Sequence, residues 1–345
     1  MHRFYCLVFL SCYLMHCSNP VQDVQIGNNM GIPYNLFSDT SGYQWVKTSW
    51  ANGRNAYSFV QSHNAWYLGT DSGELLSSID NGSTWTCKLS LPNVIIRSID
   101  FVNDTILLAA FGLLEVGNQG IYRSIDHEQS FQQVSIPDDN HRPMSIKSRN
   151  DTVVAVWSIG WLGNHGEIGC VRSSYDAGQT WQKINNSSGS GFYSILIKND
   201  YLLASTDGIG GNDIYKMKMD GSQLVMAYNE QIYSGTTDFD TLSDTILSTN
   251  SGKSLIRSID EGSSWHPLTE YDSTSWVTGI IAVNGTILLG SDLKGIMLSR
   301  DGGSHFMQFN TGFNQGLPKV YTFFQAGNNI YCITKNDGIW RLIRK

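Results

Sequence analysis

Short apolar runs, each introduced by a polar turn, recur along this chain. The copies are "HNAWYLG", "NDTILLA", "NDTVVAV", "NDYLLAS", "SDTILST", "NGTILLG" and "GNNIYCI". With Trp66, Ile106, Val153, Leu202, Ile246, Ile287 and Ile330 taken as equivalent, the gaps are 40, 47, 49, 44, 41 and 43 residues. A second pattern keeps the same beat. "SSIDNGSTW", "RSIDHEQSF", "RSSYDAGQTW", "RSIDEGSSW" and "LSRDGGSHF" place Asp80, Asp126, Asp176, Asp260 and Asp301 at gaps of 46, 50, 84 and 41. The gap of 84 holds a worn copy at Asp220, in "YKMKMDGSQL". Two motifs of different composition sharing one period mark a repeat architecture.

Each unit reads as four strands. In the sixth, "VTGIIAV", "TILLGSD", "GIMLSRD" and "HFMQFN" follow one another. The first pair is joined by Asn284-Gly285, a two-residue hairpin signal. Four-stranded units at this period predict an all-β fold, a single seven-bladed β-propeller. The seventh unit supplies three strands and then the sequence stops. "GYQWVKTSW" around Trp45 resembles an outer strand without its turn, so it is expected to complete the last blade and close the ring. The expected boundaries are a signal segment at 1–17, a tether at 18–42 and the propeller at 43–345.

The repeated Asp reads as architecture. Its side chain is placed to accept hydrogen bonds from backbone N–H groups two or three residues on, as in Asx-turns. Gly262 is expected at positive φ. Trp85, Trp181 and Trp265 are expected to bury their rings between adjacent blades. A calcium loop needs several oxygen ligands within about a dozen residues, and each turn offers one dependable acid.

Composition narrows the function classes. Aromatic residues make up 12% and charged residues 15%, with 34 glycines against 7 prolines, a balance suited to strands and tight turns. A net charge of −7 without a Lys/Arg cluster argues against a nucleic-acid partner. Cys87, Cys170 and Cys332 are odd in number and far apart, which argues against a disulfide framework.

The first residues change the picture again. "FYCLVFLSCYLMHC" after Arg3 has the length of a signal-peptide core and is short for a bilayer span. "LMHC" ending at Cys17 offers a lipoprotein-type cleavage site, and "FLSC" ending at Cys12 a second. Lipidation at Cys17 and plain secretion are both open, and either implies export to the cell envelope or beyond. A membrane would then be met only through such an anchor.

With its boxes in place, the chain resembles the Asp-box (BNR-repeat) propeller superfamily over about residues 43–345. That group includes sialidases, sortilin-type receptor ectodomains, xyloglucan-degrading propellers and photosystem II assembly-factor-like proteins. The resemblance implies the fold and implies that the boxes lie on the periphery, away from the ligand face. It says little about activity, since one fold hosts many functions.

Sialidases also carry an arginine triad and a Phe/Tyr-Arg-Ile-Pro motif. No Arg-Ile-Pro occurs here, and Arg123, Arg172, Arg257 and Arg300 sit on strands beside box aspartates. Arg97 alone falls on an innermost strand, in "NVIIRSIDF". Other glycosidases need two carboxylates facing across the bond. The loops offer Glu115, Glu167, Asp207, Asp213 and Asp272, and His165 stands beside Glu167 as a weak metal pair. Blades two, three and four have the long connections between second and third strands. Trp157 and Trp161, in the longest, are candidates to stack on a sugar or anchor a protein. The reading is therefore a monomeric, non-catalytic binding or scaffold module without cofactor or metal, taking a protein or glycan on the long-loop face. A carbohydrate-active enzyme using loop carboxylates is the alternative.

Overall fold

The computed structural model describes residues 42–48, 55–62, 64–112, 117–134, 142–158, 169–187, 191–207, 212–230, 238–250, 254–268, 277–314, 316–335 and 337–345. They form seven antiparallel four-stranded sheets arranged as a β-propeller. Blade one runs Ala56–Ser62, Ala65–Thr70, Glu74–Ser78 and Thr86–Ser90, from the innermost strand outward. Blade two is Val94–Val102, Thr105–Gly112, Gly120–Ser124 and Gln132–Gln133. Blade three is Arg142–Arg149, Thr152–Ser158, Gly169–Ser174 and Gln182–Ser187. Blade four is Gly191–Lys198, Tyr201–Asp207, Asn212–Lys218 and Val225–Glu230. Blade five is Phe239–Leu242, Thr245–Asn250, Ser254–Ser258 and His266–Pro267. Blade six is Val277–Val283, Thr286–Ser291, Gly295–Ser299 and Met307–Gln308. Blade seven is Val320–Ala326, Asn329–Thr334 and Gly338–Arg344, completed by Tyr43–Lys47.

The second strands explain the apolar runs. Thr105–Gly112 is buried on both faces because a neighbouring blade covers each side. Its residues alternate between two clusters. Leu107 and Ala109 pack with Ile146, Val153 and Trp157 of blade three, while Ile106 and Leu108 pack with Leu75 and Tyr67 of blade one. A continuous apolar strand is thus dictated by a sandwich position. The outer strands of blades two, five and six pair over two residues only, fewer than the six read from "HFMQFN". Each is prolonged by one further backbone bond, such as Phe309 N to Ile296 O at 2.8 Å. In blade five the outer strand includes Pro267, which has no N–H to donate.

The ring closes as expected. Trp45 lies opposite Leu342, and the Tyr43–Lys47 strand forms the outer edge of blade seven. Trp45 is fully buried against Phe323, Phe309 and Phe313, and its indole N–H donates to the Phe309 carbonyl at 3.0 Å. Gly312 makes this fit available. A Cβ there would stand 2.0 Å from the Trp45 carbonyl oxygen, at a φ of +109°.

Antiparallel order divides the turns between two ends. Hairpins joining first to second strands, and third to fourth strands, lie at one end, here the turn face. Connections from second to third strands, and from blade to blade, lie at the other, the connection face. Asn284 and Gly285 have φ of 50° and 79°, the primed hairpin turn read from sequence.

The third-to-fourth turns carry the repeated Asp. In blade one, Ser78 Oγ donates to Asp80 Oδ1 at 2.7 Å and accepts from Gly82 N at 2.8 Å. Asp80 accepts from Thr84 N at 2.8 Å and from Thr84 Oγ1 at 2.6 Å, and Trp85 Nε1 donates to Gly82 O at 3.0 Å. The same set recurs around Asp176 and Asp260. The acceptor thus reaches four residues on, and Asp176 and Asp260 also accept from the N–H three residues on, at 3.1 Å from Gln179 and Ser263. Both residues between Asp and the next Ser are left-handed, with φ of 58° at Asn81 and 83° at Gly82, and this tight reversal brings the fourth N–H within reach. Asp220 departs from the set. It holds Ser222 N at 2.8 Å, and Lys218 stands where the other turns have Ser.

The turns also bind neighbouring blades. Gly262 has φ of +82°, and a Cβ there would approach Leu203 of blade four to 2.6 Å. Trp265 is buried with Leu203 and Ile214 of that blade, as expected. Trp85 and Trp181 are half-buried against corresponding clusters.

Candidate functional site: the channel mouth on the connection face

Six innermost strands share one irregularity. Register shifts fall between Ala56 and Ser58, Ile96 and Ser98, Pro143 and Ser145, Phe192 and Ser194, Val277 and Gly279, and Val320 and Thr322. Each shift inserts one extra residue near the connection face: Tyr57, Arg97, Met144, Tyr193, Thr278 and Tyr321. A bulge releases its extra residue from the ladder and re-aims the side chain. Repeated around the ring, it sets a circle of side chains at the mouth of the central channel. The residue after the bulge is small and often latches the next blade. Ser58 Oγ donates to Ile96 O at 3.0 Å, and Ser98 Oγ donates to Ile146 O at 3.2 Å while accepting from Ile146 N at 3.1 Å.

The circle is chemically uneven. Tyr57 and Tyr321, from blades one and seven, pack at a tilt with centroids 5.0 Å apart. Burial, the hydrogen bond that the Tyr321 phenol donates to Tyr57, and the nearby Asp71 together push the Tyr321 phenol up. Asp71 is itself held by the Asn55 side-chain amide at 2.7 Å. Across the mouth, the Arg97 guanidinium of blade two lies 4.1 Å from the Tyr193 ring of blade four and 5.9 Å from Phe111. Arg142 faces the same Phe111 ring at 5.6 Å. Met144 is buried among the residues against which Phe111 and Tyr193 pack. Among the described residues no carboxylate lies within ion-pairing distance of Arg97, which is half-buried between these rings.

Among the described residues, the innermost strands also carry buried acids. Asp100 accepts from Phe101 N and from Ser148 N of the next blade, and Asp240 accepts from Thr241 N and Ala282 N in the equivalent way. Burial raises both carboxyls despite these donors. Burial and the like charge of Asp240 raise Asp238 to about 6, and the positive charge of Lys147 opposes this.

The residues singled out from sequence fall in several places. Trp157 is a correction. It sits on the second strand of blade three, opposite Cys170, and is 1% exposed. Its ring meets Trp181 edge-on at 5.5 Å and lies beneath Arg172 at 5.7 Å, so it fills the seam between blades two and three instead of projecting from a loop. Asp213 is a buried strand-end residue at the connection face of blade four. It accepts from Asn229 Nδ2 at 2.6 Å, and burial raises its carboxyl. Asp207 ends its strand opposite Gly191. Glu115, Trp161, His165, Glu167, Asp272 and Cys17 lie outside the described residues, as does the Asp207 side chain. Among the described residues, no three His, Cys, Asp or Glu side chains gather as metal ligands. Cys87, Cys170 and Cys332 form no disulfide with one another.

The bulge circle escaped the sequence reading, apart from the inward placement of Arg97. Its signal was present: Tyr-Ser, Arg-Ser, Met-Ser, Tyr-Ser, Thr-Gly and Tyr-Thr stand at one position of the repeat, a large or polar residue before a small one.

No protein-family model matches the chain, and no curated protein matches it. Solved structures do. The chain is similar to one titled "YCF48 bound to D1 peptide", at 12% identity and TM-score 0.68, over 88% of this chain and 97% of that one. It is similar to a catalytically inactive virginiamycin B lyase from Staphylococcus aureus with quinupristin, at 12% identity and TM-score 0.68, over 88% and 99%. It also matches a xyloglucanase from Xanthomonas campestris, at 12% identity and TM-score 0.62, over 87% of this chain and 53% of that one. Binding proteins and enzymes thus share this fold, and these likenesses speak for the fold alone.

Proposed function

We propose that this chain is an exported Asp-box propeller whose role is non-catalytic binding, with a protein segment or glycan received at the channel mouth on the connection face. One observation carries the reading: the Arg97 guanidinium stands 4.1 Å over the Tyr193 ring across two blades, and among the described residues no carboxylate pairs with it. A guanidinium so placed is pre-organised to donate to a ligand acceptor, while flanking rings offer flat apolar surface. Tyr57 and Tyr321 extend that surface. The five well-formed Ser-x-Asp turns spend their side chains on their own backbone, which supports an architectural role and the Asp-box assignment. The solved neighbour with a bound peptide supports a peptide as the first ligand class to try. Export rests on the apolar run before Cys17.

The test is a binding screen of the purified chain against a displayed random-peptide library and a broad glycan array. Ligands whose capture depends on Arg97 and Tyr193 are expected. Turnover of any array glycan would contradict the non-catalytic reading, and ligands indifferent to both residues would move the site elsewhere.

A further inference from the structure

The Ser-x-Asp turn fixes where its middle residue points. Ser and Asp both turn inward to hold the loop, so the residue between them projects from the turn face. In blades one to six that residue is Ile79, Ile125, Tyr175, Met219, Ile259 and Arg300. Ile79 is 85% exposed, Ile125 67%, Tyr175 52% and Ile259 71%. Nothing in the turn requires an apolar side chain there, since blade six uses Arg300 with the same Ser and Asp bonds. Single exposed apolar residues are ordinary on a protein surface. Four at one repeat position are not scattered. Because equivalent positions of a propeller lie at one height, their tips define a plane around the rim.

From this we infer that the turn face rests on a lipid bilayer, with Ile79, Ile125, Tyr175 and Ile259 dipping into its interface. A flat ring of separated tips suits a planar partner, whereas a protein would need a matching pocket for each. An anchor at Cys17, on which this argument rests, would bring the partner to this side: the tether after it joins the propeller at Gly42, whose carbonyl accepts from Lys345 N at 2.7 Å on the turn face. A tether raises the effective concentration of a surface to which it is attached. Tyr175 and Arg300 add side chains that suit a bilayer's polar boundary. The net charge of −7 points to zwitterionic lipid, because anionic headgroups would repel the molecule. In this orientation the channel mouth faces away from the bilayer. The inference goes beyond ligand binding at the mouth and stands without it.

Flotation of the full chain with phosphatidylcholine vesicles tests it. Replacing all four residues together (Ile79→Ser, Ile125→Ser, Tyr175→Ser, Ile259→Ser) should lower partitioning by about fivefold or more at an unchanged melting temperature. Leu293→Ser with Leu317→Ser, exposed residues of the connection face, should leave it unaltered. In vesicles of brominated phosphatidylcholine, the added tryptophan of Ile259→Trp should be quenched, and that of Leu293→Trp should not. Equal partitioning of the fourfold variant would overturn the proposal, as would quenching at Leu293→Trp alone. So would a fourfold variant that loses only self-association, which would make a second copy the partner.

Discussion

Arg97 and Tyr193 belong to blades two and four, yet the guanidinium stands 4.1 Å from the ring. The contact exists because a bulge at the same level of each innermost strand frees one residue from its ladder. It places charge at the mouth, and among the described residues no carboxylate pairs with it. Arg97→Lys keeps the charge and loses the planar fork. The expected outcome is a melting temperature within a degree or two of the parent, since a partly exposed cation–π contact contributes only about 0.5–1 kcal/mol. Ligand affinity should nonetheless fall, which titration calorimetry can measure.

Ring closure depends on Trp45 and the bare backbone of Gly312. Trp45→Ala should destabilise by about 3–5 kcal/mol, the cost of a large cavity at a buried aromatic. Gly312→Ala should also be severe, because its Cβ would strike the Trp45 carbonyl at an unfavourable φ. Denaturant melts of both variants check this. A small effect in either would mean that the closing strand contributes little.

Within the turns, packing should outweigh hydrogen bonding. Trp265→Ala removes a ring buried against blade four and should cost about 2–4 kcal/mol. Asp260→Ala loses turn hydrogen bonds and should cost about 1–2 kcal/mol. Chemical denaturation gives both values, and the reverse order would contradict the assignment.

The acids predict a pH profile with a maximum. Burial and the Asp240 charge lift Asp238 to about 6, so lowering the pH from 7 towards 4 protonates the folded state first and raises stability. The turn acids act the other way. Hydrogen bonds from Ser130 and Ser124 hold Asp126 near 2, and those from Thr180 and Ser174 overcome burial to hold Asp176 at about 2. Their contribution is present above pH 4 and is lost as the pH falls towards 2. Melting temperature should therefore peak between about pH 4 and 6. Asp238→Asn should flatten the rise on the high-pH side, and an unchanged profile in that variant would contradict the assignment.

A lipid anchor at Cys17 predicts a modification. Metabolic labelling with a fatty-acid analogue should mark Cys17, and Cys17→Ser should abolish the label. Label surviving that change would move the site, and no label in the parent would favour plain secretion.

The fold was legible because its determinants are local and repeated. The second strands announce themselves as apolar runs, and the Ser-x-Asp turns satisfy themselves within seven residues. Trp45 could be assigned to the last blade because its strand lacked a turn of its own. The site was not legible in the same way. Trp157 reads as a loop residue because it borders a Gly-rich stretch, yet its strand continues through it and a neighbouring blade covers it. The bulge residues come together only when blades far apart in sequence are arranged in a ring. Arg97 and Tyr193 are 96 positions apart, and no local pattern encodes their meeting.

The most direct measurement compares two variants on one ligand. With the strongest binder from the peptide or glycan screen, affinity is measured by calorimetry for the parent, Arg97→Ala and Asp260→Ala, each corrected for its folded fraction. The account predicts that Arg97→Ala weakens binding by about tenfold or more at near-parent stability, as loss of a charge-assisted contact implies. It predicts that Asp260→Ala, though less stable, binds with parent affinity. Parent-like binding by Arg97→Ala together with lost binding by fully folded Asp260→Ala would contradict it, and would make the repeated turn, not the channel mouth, the functional surface.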